Sequence, residues 1–177
     1  MNDLSKLANI AEIFSALVVV GGIIFAVIQM RQTRQQRREL AAIELFRSFG
    51  SPKFTEAYRN VLRFDDGMTS DQLQEICPEC EQYAMVIATT MENIGVMMYQ
   101  RIVPSMVVYH LIGSSAVILW RKLAVWAEDL RVEHGNPYAF EWFQWLAMQL
   151  DDMHDPSIGP AHESKADWKP LKISSEI

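Results

Sequence analysis

The hydrophobic positions of this chain recur with helical periods, and the first run of them is apolar on every side. Between Ile13 and Ile28 every residue is apolar or small, with no charge and no proline. A helix of roughly 20 such residues spans the hydrocarbon core of a bilayer. The pattern therefore predicts that residues 1–30 form a short tail and a single transmembrane helix, which lies within residues 9–30.

Two alternatives for this run are a signal peptide and a buried core helix. A signal peptide has a basic flank and a cleavage site of small residues, whereas this flank carries Asp3, Lys6 and Glu12, and no such cleavage site follows. A core helix rarely stays apolar on every face over this length. We therefore favour the membrane span.

Four arginines follow the apolar run without an intervening acid. Positive residues mark the end of a span that stays in the cytoplasm. We therefore expect a single-pass protein of the inner (cytoplasmic) membrane, with the N-terminus outside and the C-terminal domain cytoplasmic. The arginines are also placed to contact anionic lipid headgroups, and a regulator that responds to lipid is one interpretation of them: Arg31, Arg34, Arg37 and Arg38.

Small residues form a stripe on one side of the predicted membrane helix. At 100° per residue, four of them fall close together: Ala11, Ser15, Gly22 and Ala26. A stripe of this kind lets two helix backbones approach closely. It predicts helix packing within the membrane, either between copies of this chain or against another subunit.

The rest of the chain shows helical periods separated by glycine and proline. A basic juxtamembrane helix is predicted over residues 31–50, and Gly50-Ser51-Pro52 ends it, with Ser51 as the cap of the next helix. Further helices are predicted to about Phe64, from about Asp71, from Cys80 to Ile102, from Ser105 to Val132 and from Tyr138 to Met153.

No segment alternates with period two, as a half-buried strand does. We predict an all-α bundle of about five helices over residues 51–153, followed by a flexible polar tail over residues 154–177. Ser105 to Trp120 is apolar enough to be a second span, but positive residues lie on both sides of it, at Arg101 and at Arg121-Lys122. A helix buried in the bundle is the interpretation we favour for it.

The charge of the chain is unevenly distributed. Its 177 residues have a formal net charge of −6, yet from Glu39 onward 20 Asp and Glu stand against 11 Lys and Arg. Nucleic-acid binding depends on Lys and Arg that neutralise phosphates. The acidic body therefore argues against a nucleic-acid partner.

Cys77-Pro78-Glu79-Cys80 is a CxxC motif. A structural zinc site normally supplies a second ligand pair, and this chain has no further cysteine, while its four histidines are isolated. A thioredoxin-like role requires a βαβ context, which the pattern lacks. We expect a helix N-terminus with two thiols that stay reduced in the cytoplasm, and no metal site.

Two polar pairs lie in apolar predicted helices: Glu92-Asn93 and Tyr109-His110. Buried ionisable groups must be paired or neutralised, and a buried Glu/His pair can bind a metal or relay a proton. A ferritin-like metal site needs several carboxylates and Glu-x-x-His pairs, which we do not find. We favour a single internal hydrogen bond that fixes helix register, with a pocket of Glu92, Asn93, Tyr109 and His110 as the alternative.

The segment from Phe140 to Leu146 carries four large aromatic side chains in seven residues. Most rings of such a helix pack into the core. Trp142 nevertheless falls on a different side from Phe143, so part of the cluster is free for a partner or for the headgroup layer, where Trp is favoured. Trp142 and Trp145 are therefore the candidate interaction surface.

Several segments carry a family resemblance: Gln29-Met30-Arg31-Gln32, Met91 to Val96, Arg101-Ile102-Val103, Val117 to Trp120 and Phe140 to Leu146. Over roughly residues 7–150 the chain resembles a widespread bacterial family of domains of unknown function, the family numbered 4760. The resemblance implies a membrane-tethered helical domain. It supplies no activity, cofactor or catalytic residue.

These features favour a membrane-anchored, non-enzymatic helical protein, acting as an accessory subunit of a membrane complex or as a self-assembling scaffold. The expected partners are the lipid bilayer and another protein or a second copy, with no cofactor. The alternative is a small enzyme or sensor whose Glu/His pocket binds a metal or a small ligand. No nucleophile elbow, phosphate loop, dinucleotide fingerprint or HExxH motif occurs in the sequence.

Overall fold

The computed structural model describes residues 19–33, 43, 47 and 49–170, and residues 19–33 are helical. The helices that follow are α1 (Pro52–Val61), α2 (Ser70–Ile76), α3 (Cys80–Tyr99), α4 (Ser105–Glu133), α5 (Glu141–Asp152) and α6 (Ala161–Ser164). No strand occurs within these described ranges. The prediction of an all-α fold is confirmed for this part of the chain.

The helices α1 and α2 begin at local caps. The hydroxyl of Ser51 accepts a hydrogen bond from the N–H of Phe54 at 3.1 Å, and Pro52 occupies the first helical position. Thr69 and Gln72 form a reciprocal capping box at the start of α2. These caps satisfy N–H groups that have no partner within the helix, so the two starts follow from the local sequence.

The helix α3 lies at the centre of the bundle and contacts α1, α2, α4 and α5. Burying one large apolar side chain contributes about 1.5–3 kcal/mol, so the side chains between these helices dominate the stability of the fold. The largest fully buried ones are Trp126, Phe143, Leu73, Ile87, Met91, Ile94, Leu119, Leu123, Leu146, Leu150 and Val61.

The second apolar run of the sequence forms the first half of α4. Val108, Ile112, Ala116 and Leu119 are buried on its inner side, where α4 packs against α3 and α5. The interpretation of residues 105–120 as a bundle helix is therefore confirmed.

Part of the predicted membrane helix lies outside the described residues, namely residues 9–18. Among the helices that the structure describes, none is both long enough and apolar enough to cross a membrane. Of the predicted juxtamembrane helix, residues 34–42, 44–46 and 48 are also outside the described ranges, while residues 31–33, 43, 47 and 49 are helical.

The segment after α5 is more ordered locally than we predicted. The expectation was a flexible polar tail, but the single turn of α6 interrupts it, and the N–H groups of Glu163 and Ser164 both donate to the carbonyl oxygen of Pro160 at 2.9 Å. Residues 154–170 are all exposed, and residues 171–177 lie outside the described part of the chain.

Candidate functional site

The four residues of the alternative pocket do not share a buried site. Asn93 and His110 are exposed, while Glu92 and Tyr109 are half-buried, and no hydrogen bond joins the α3 pair to the α4 pair in the described structure. These four residues therefore do not form the buried Glu/His pocket that was the alternative interpretation. Asn93 and His110 turn outward because their neighbours Met91 and Ile94 on α3, and Val108 and Ile112 on α4, take the inner positions.

Glu92 has a structural partner in α5. Its Oε2 accepts a hydrogen bond from the backbone N–H of Phe143 at 2.7 Å, in the first turn of α5. The residue before that helix, Phe140, has no side-chain oxygen and adopts a left-handed conformation with φ 56°. Glu92 therefore replaces the missing local cap of α5, which agrees with the favoured interpretation of an internal hydrogen bond.

The environment of Glu92 changes its acidity. Burial raises the pKa of this carboxyl above its ordinary value, and the N–H groups of Phe143 and Trp142 only partly offset that effect. The neighbouring carboxylate of Glu141 raises the pKa further, and the guanidinium of Arg131 lowers it. A shifted carboxyl in a cleft can mark a catalytic acid, but here the carboxyl is already occupied by the end of a helix.

Tyr109 and His110 lie near the tail that follows α5. The hydroxyl of Tyr109 and Nδ1 of His154 are 3.3 Å apart, within hydrogen-bond distance, and the rings of Tyr109 and His110 meet edge to face at 5.5 Å. His154 is exposed. This arrangement links α4 to residue 154 at the surface.

The predicted aromatic surface is present, with one further ring. Trp142 and Trp145 are half-buried, with ring centroids 5.9 Å apart, while Phe143 and Leu146 are buried in the core. Tyr99, at the end of α3, packs on Trp142 at 4.7 Å and on Trp145 at 5.9 Å, and 59 % of its surface remains exposed. We call Tyr99, Trp142 and Trp145 the aromatic triad.

A cleft of about 480 Å³ opens beside the aromatic triad, between the end of α3 and the start of α4. Its lining is largely apolar, with one guanidinium, and consists of Met98, Tyr99, Arg101, Val103, Pro104, Ser105 and Trp145. Arg101 is exposed and has φ 57°, in the left-handed region. The arrangement is suited to a flat or apolar group that carries a negative charge.

Sequence reasoning missed Tyr99 and Arg101 as part of this surface. Both follow the last buried residue of α3, and the turn after them brings α4 back along the bundle. The only signal available was an aromatic residue, Tyr99, three positions before the predicted helix end at Ile102. The pairing of that residue with two tryptophans on α5 depends on tertiary packing.

The remaining predicted contact residues lie toward the N-terminus. Gly22 and Ala26 of the small-residue stripe and Arg31 of the basic cluster are helical and exposed. A Cβ added at Gly22 would meet no atom within 4 Å, so the described structure leaves this side of the helix open. Ala11, Ser15, Arg34, Arg37 and Arg38 lie outside the described residues.

The CxxC motif does not hold two free thiols. Cys77 and Cys80 form a disulfide, with their Cα atoms 5.3 Å apart, so the expectation of reduced thiols is wrong. The turn between α2 and α3 brings the two residues within the range that a disulfide requires. Across the described residues, no group of three or more His, Cys, Asp and Glu is placed to hold a metal ion.

Comparison with known proteins is consistent with the resemblance found in the sequence. A sequence profile described as "Domain of unknown function (DUF4760)" matches residues 16–150. No curated protein and no solved structure matches the chain. Because the matched region covers most of the 177 residues, the chain belongs to the DUF4760 family.

Proposed function

We propose that this protein is a membrane-anchored, non-enzymatic scaffold that assembles with copies of itself on the cytoplasmic face of the inner membrane. The observation that carries the proposal is the helix over residues 19–33. Eight large hydrophobic side chains between Val19 and Met30 are exposed there, by 45–66 % of their surfaces. A helix that is apolar on all sides is normally buried in a core or in a bilayer.

The bilayer is the better environment for this helix. The apolar run in the sequence extends back to Ile13, and Arg31 begins the basic cluster that follows. A run of this length with arginines at one end is what a single span with a cytoplasmic neck requires. Gly22 and Ala26 would then be available for close packing between two spans.

A second surface supports self-assembly. Four exposed apolar residues of α4 recur at intervals of seven: Leu111, Ile118, Val125 and Val132, exposed by 36–76 %. We call them the α4 stripe. A heptad interval keeps such residues on one side of a helix, where a partner helix can cover them.

Membrane extraction tests the anchor. The full chain should stay in the membrane fraction after alkaline carbonate treatment, whereas Ile24→Lys with Val27→Lys should release it, because a lysine at the centre of a span costs about 2.5–3.5 kcal/mol. The matched control is Met148→Lys with Ile158→Lys, which adds the same charge at residues that are exposed outside this helix. Release of the unmodified chain would refute the anchor.

The mass of the complex in mild detergent tests the scaffold. We expect a discrete homo-oligomer that Ile118→Asp with Val125→Asp dissociates, while Met148→Asp leaves it intact. A monomer that carries stoichiometric foreign subunits would refute self-assembly and would make the protein an accessory subunit instead.

A further inference from the structure

The disulfide of Cys77 and Cys80 closes the corner between α2 and α3. Cys77 follows the last residue of α2, Cys80 is the first residue of α3, and the N–H of Cys80 donates to the carbonyl oxygen of Cys77 at 3.1 Å. The bond joins residues only three apart in the sequence. It removes little loop entropy from the unfolded chain, so it is a weak structural crosslink in a corner that backbone hydrogen bonds already form.

The two sulfur-bearing residues differ in access. Cys77 is half-buried, whereas only 2 % of Cys80 is exposed, within the hydrophobic core. Thiol–disulfide exchange requires that a thiolate approach one of the two sulfurs. This difference in exposure favours attack of a thiolate on Sγ of Cys77 over attack on Sγ of Cys80.

We propose that Cys77 and Cys80 form a reversible thiol–disulfide exchange site, entered at Cys77, whose redox partner is a protein dithiol with an uncharged or basic rim. The partner's first thiolate attacks Sγ of Cys77, forms a mixed disulfide and releases Cys80 as a thiolate. The partner's second thiolate then attacks the partner's first sulfur in the mixed disulfide, which releases Cys77 as a thiolate. Two electrons and two protons pass to the pair, and the partner leaves as a disulfide.

The charge around the corner determines the class of partner. No Lys or Arg occurs between Arg63 and Arg101, whereas seven Asp and Glu do. Glu75 and Glu79 are exposed beside the disulfide, and Glu81 is half-buried there. On the neighbouring α1, Glu56 accepts a hydrogen bond from the hydroxyl of Tyr83 at 3.3 Å. An anionic thiol such as glutathione is repelled by this surface, and the exposed side chain of Ile76 offers an apolar contact to a protein partner.

The inference uses the proposed cytoplasmic orientation for its cellular role, because disulfides in that compartment are usually transient or redox-active. Its chemistry does not depend on that orientation. It is therefore tested on the purified full chain in mild detergent, so that failure of the exchange site and failure of the anchor give separate results.

Single-cysteine variants test the point of entry. We expect Cys80→Ser, which keeps Cys77, to react with a neutral dipyridyl disulfide about ten-fold faster or more than Cys77→Ser, because access decides which sulfur reacts. Both variants lack the disulfide, so each is the control for the other, and circular dichroism checks that their helix contents match. Equal rates, or a faster reaction at Cys80, would overturn entry at Cys77.

Reduction of the unmodified chain tests the partner chemistry. Its disulfide is treated with three monothiols of different charge, and the free cysteines are counted by alkylation and mass spectrometry. When the rates are expressed per thiolate, cationic cysteamine should react several-fold faster than neutral mercaptoethanol, and anionic glutathione should react slowest. These differences in rate should become smaller in about 1 M salt, which screens the charges. If glutathione were the fastest of the three reagents, the proposed partner with an uncharged or basic rim would be overturned. Two free thiols that persist after treatment with diamide would overturn the site itself.

Discussion

The carboxylate of Glu92 on α3 caps the N-terminus of α5, where its Oε2 accepts the backbone N–H of Phe143 at 2.7 Å. The capping residues of α1 and α2, Ser51 and Thr69, lie directly before their own helices. The acceptor for α5 comes instead from a different helix, 51 residues earlier in the chain. This hydrogen bond therefore stabilises the start of α5 and fixes the register of α5 against α3.

Removing the acceptor should destabilise the fold. Glu92→Ala leaves the N–H groups at the start of α5 without a partner, and loss of a cap costs about 1 kcal/mol. Glu92→Gln keeps an oxygen acceptor and should retain most of that stability at pH 7. Thermal unfolding of the full chain, followed by circular dichroism, measures both. As a control, Glu141→Ala removes a nearby exposed acid without removing the cap. If Glu141→Ala lost as much stability as Glu92→Ala, the role of Glu92 as the cap would be contradicted.

The same carboxyl should make stability depend on pH. The pKa of Glu92 is raised in the folded protein, mainly by burial, whereas an unfolded glutamate titrates near about 4.3. The folded state therefore binds the proton of Glu92 more tightly than the unfolded state does. The stability that this proton contributes is fully present below the pKa of the unfolded state, and it is lost as the pH rises through the pKa of the folded state. The free energy of unfolding of the unmodified chain and of Glu92→Gln is compared from about pH 4 to pH 8. The stability of Glu92→Gln should increase relative to that of the unmodified chain as the pH rises. A constant difference would show that the pKa of Glu92 is not raised.

Close approach of α3 to α5 depends on Gly95. A Cβ at this position would lie 2.8 Å from the carbonyl carbon of Trp142, and the atom it meets is backbone. Gly95→Ala should therefore force the helices apart and cost about 1–3 kcal/mol, which chemical denaturation measures.

Gly113 provides the matched control for that substitution. It is also a buried glycine within a helix, but a Cβ there would lie 3.1 Å from Cδ2 of the Tyr109 ring, a side chain that can shift. The helix propensity gained from alanine, about 1 kcal/mol, offsets that contact. Gly113→Ala should therefore change the free energy of unfolding very little. Equal losses of stability in Gly95→Ala and Gly113→Ala would contradict the specific contact of Gly95 with Trp142.

Local signals explain which parts of the fold could be predicted from the sequence. The starts of α1 and α2 were predictable because the cap and the N–H groups it satisfies lie within three residues of each other. The start of α5 was expected near Tyr138 but lies at Glu141. No local residue caps α5, and the carboxylate that does so belongs to α3, which only the tertiary structure brings near.

The candidate surface was predictable in part, for the same reason. The run from Phe140 to Leu146 contains both core and surface rings, and its helical period was enough to separate Trp142 from Phe143. It could not show that Tyr99 completes the aromatic triad, because that contact crosses between two helices. The outward positions of Asn93 and His110 were missed because both helices are apolar on most sides, so periodicity does not identify the exposed side.

Two residues in the left-handed conformation give the last prediction, Arg101 with φ 57° and Phe140 with φ 56°. Arg101 follows α3 in the arrangement of a helix C-terminus that glycine usually occupies. The N–H of Ile102 donates to Met97 O at 2.9 Å, and the N–H of Arg101 donates to Met98 O at 3.0 Å. A side chain costs about 1 kcal/mol in this conformation, and no hydrogen bond or ion pair of the Arg101 side chain within the described residues compensates it.

Arg101→Gly should therefore raise the free energy of unfolding by about 0.5–1 kcal/mol, although it removes the guanidinium from the cleft. Phe140→Gly relieves the same backbone cost but should lower the free energy of unfolding by about 1–2 kcal/mol, because a partly buried ring is lost. That ring stacks on Trp126 with centroids 5.3 Å apart. Denaturant unfolding of the two variants should give changes of opposite sign. If both were destabilised, the side chain of Arg101 would have to make a stabilising contact of its own.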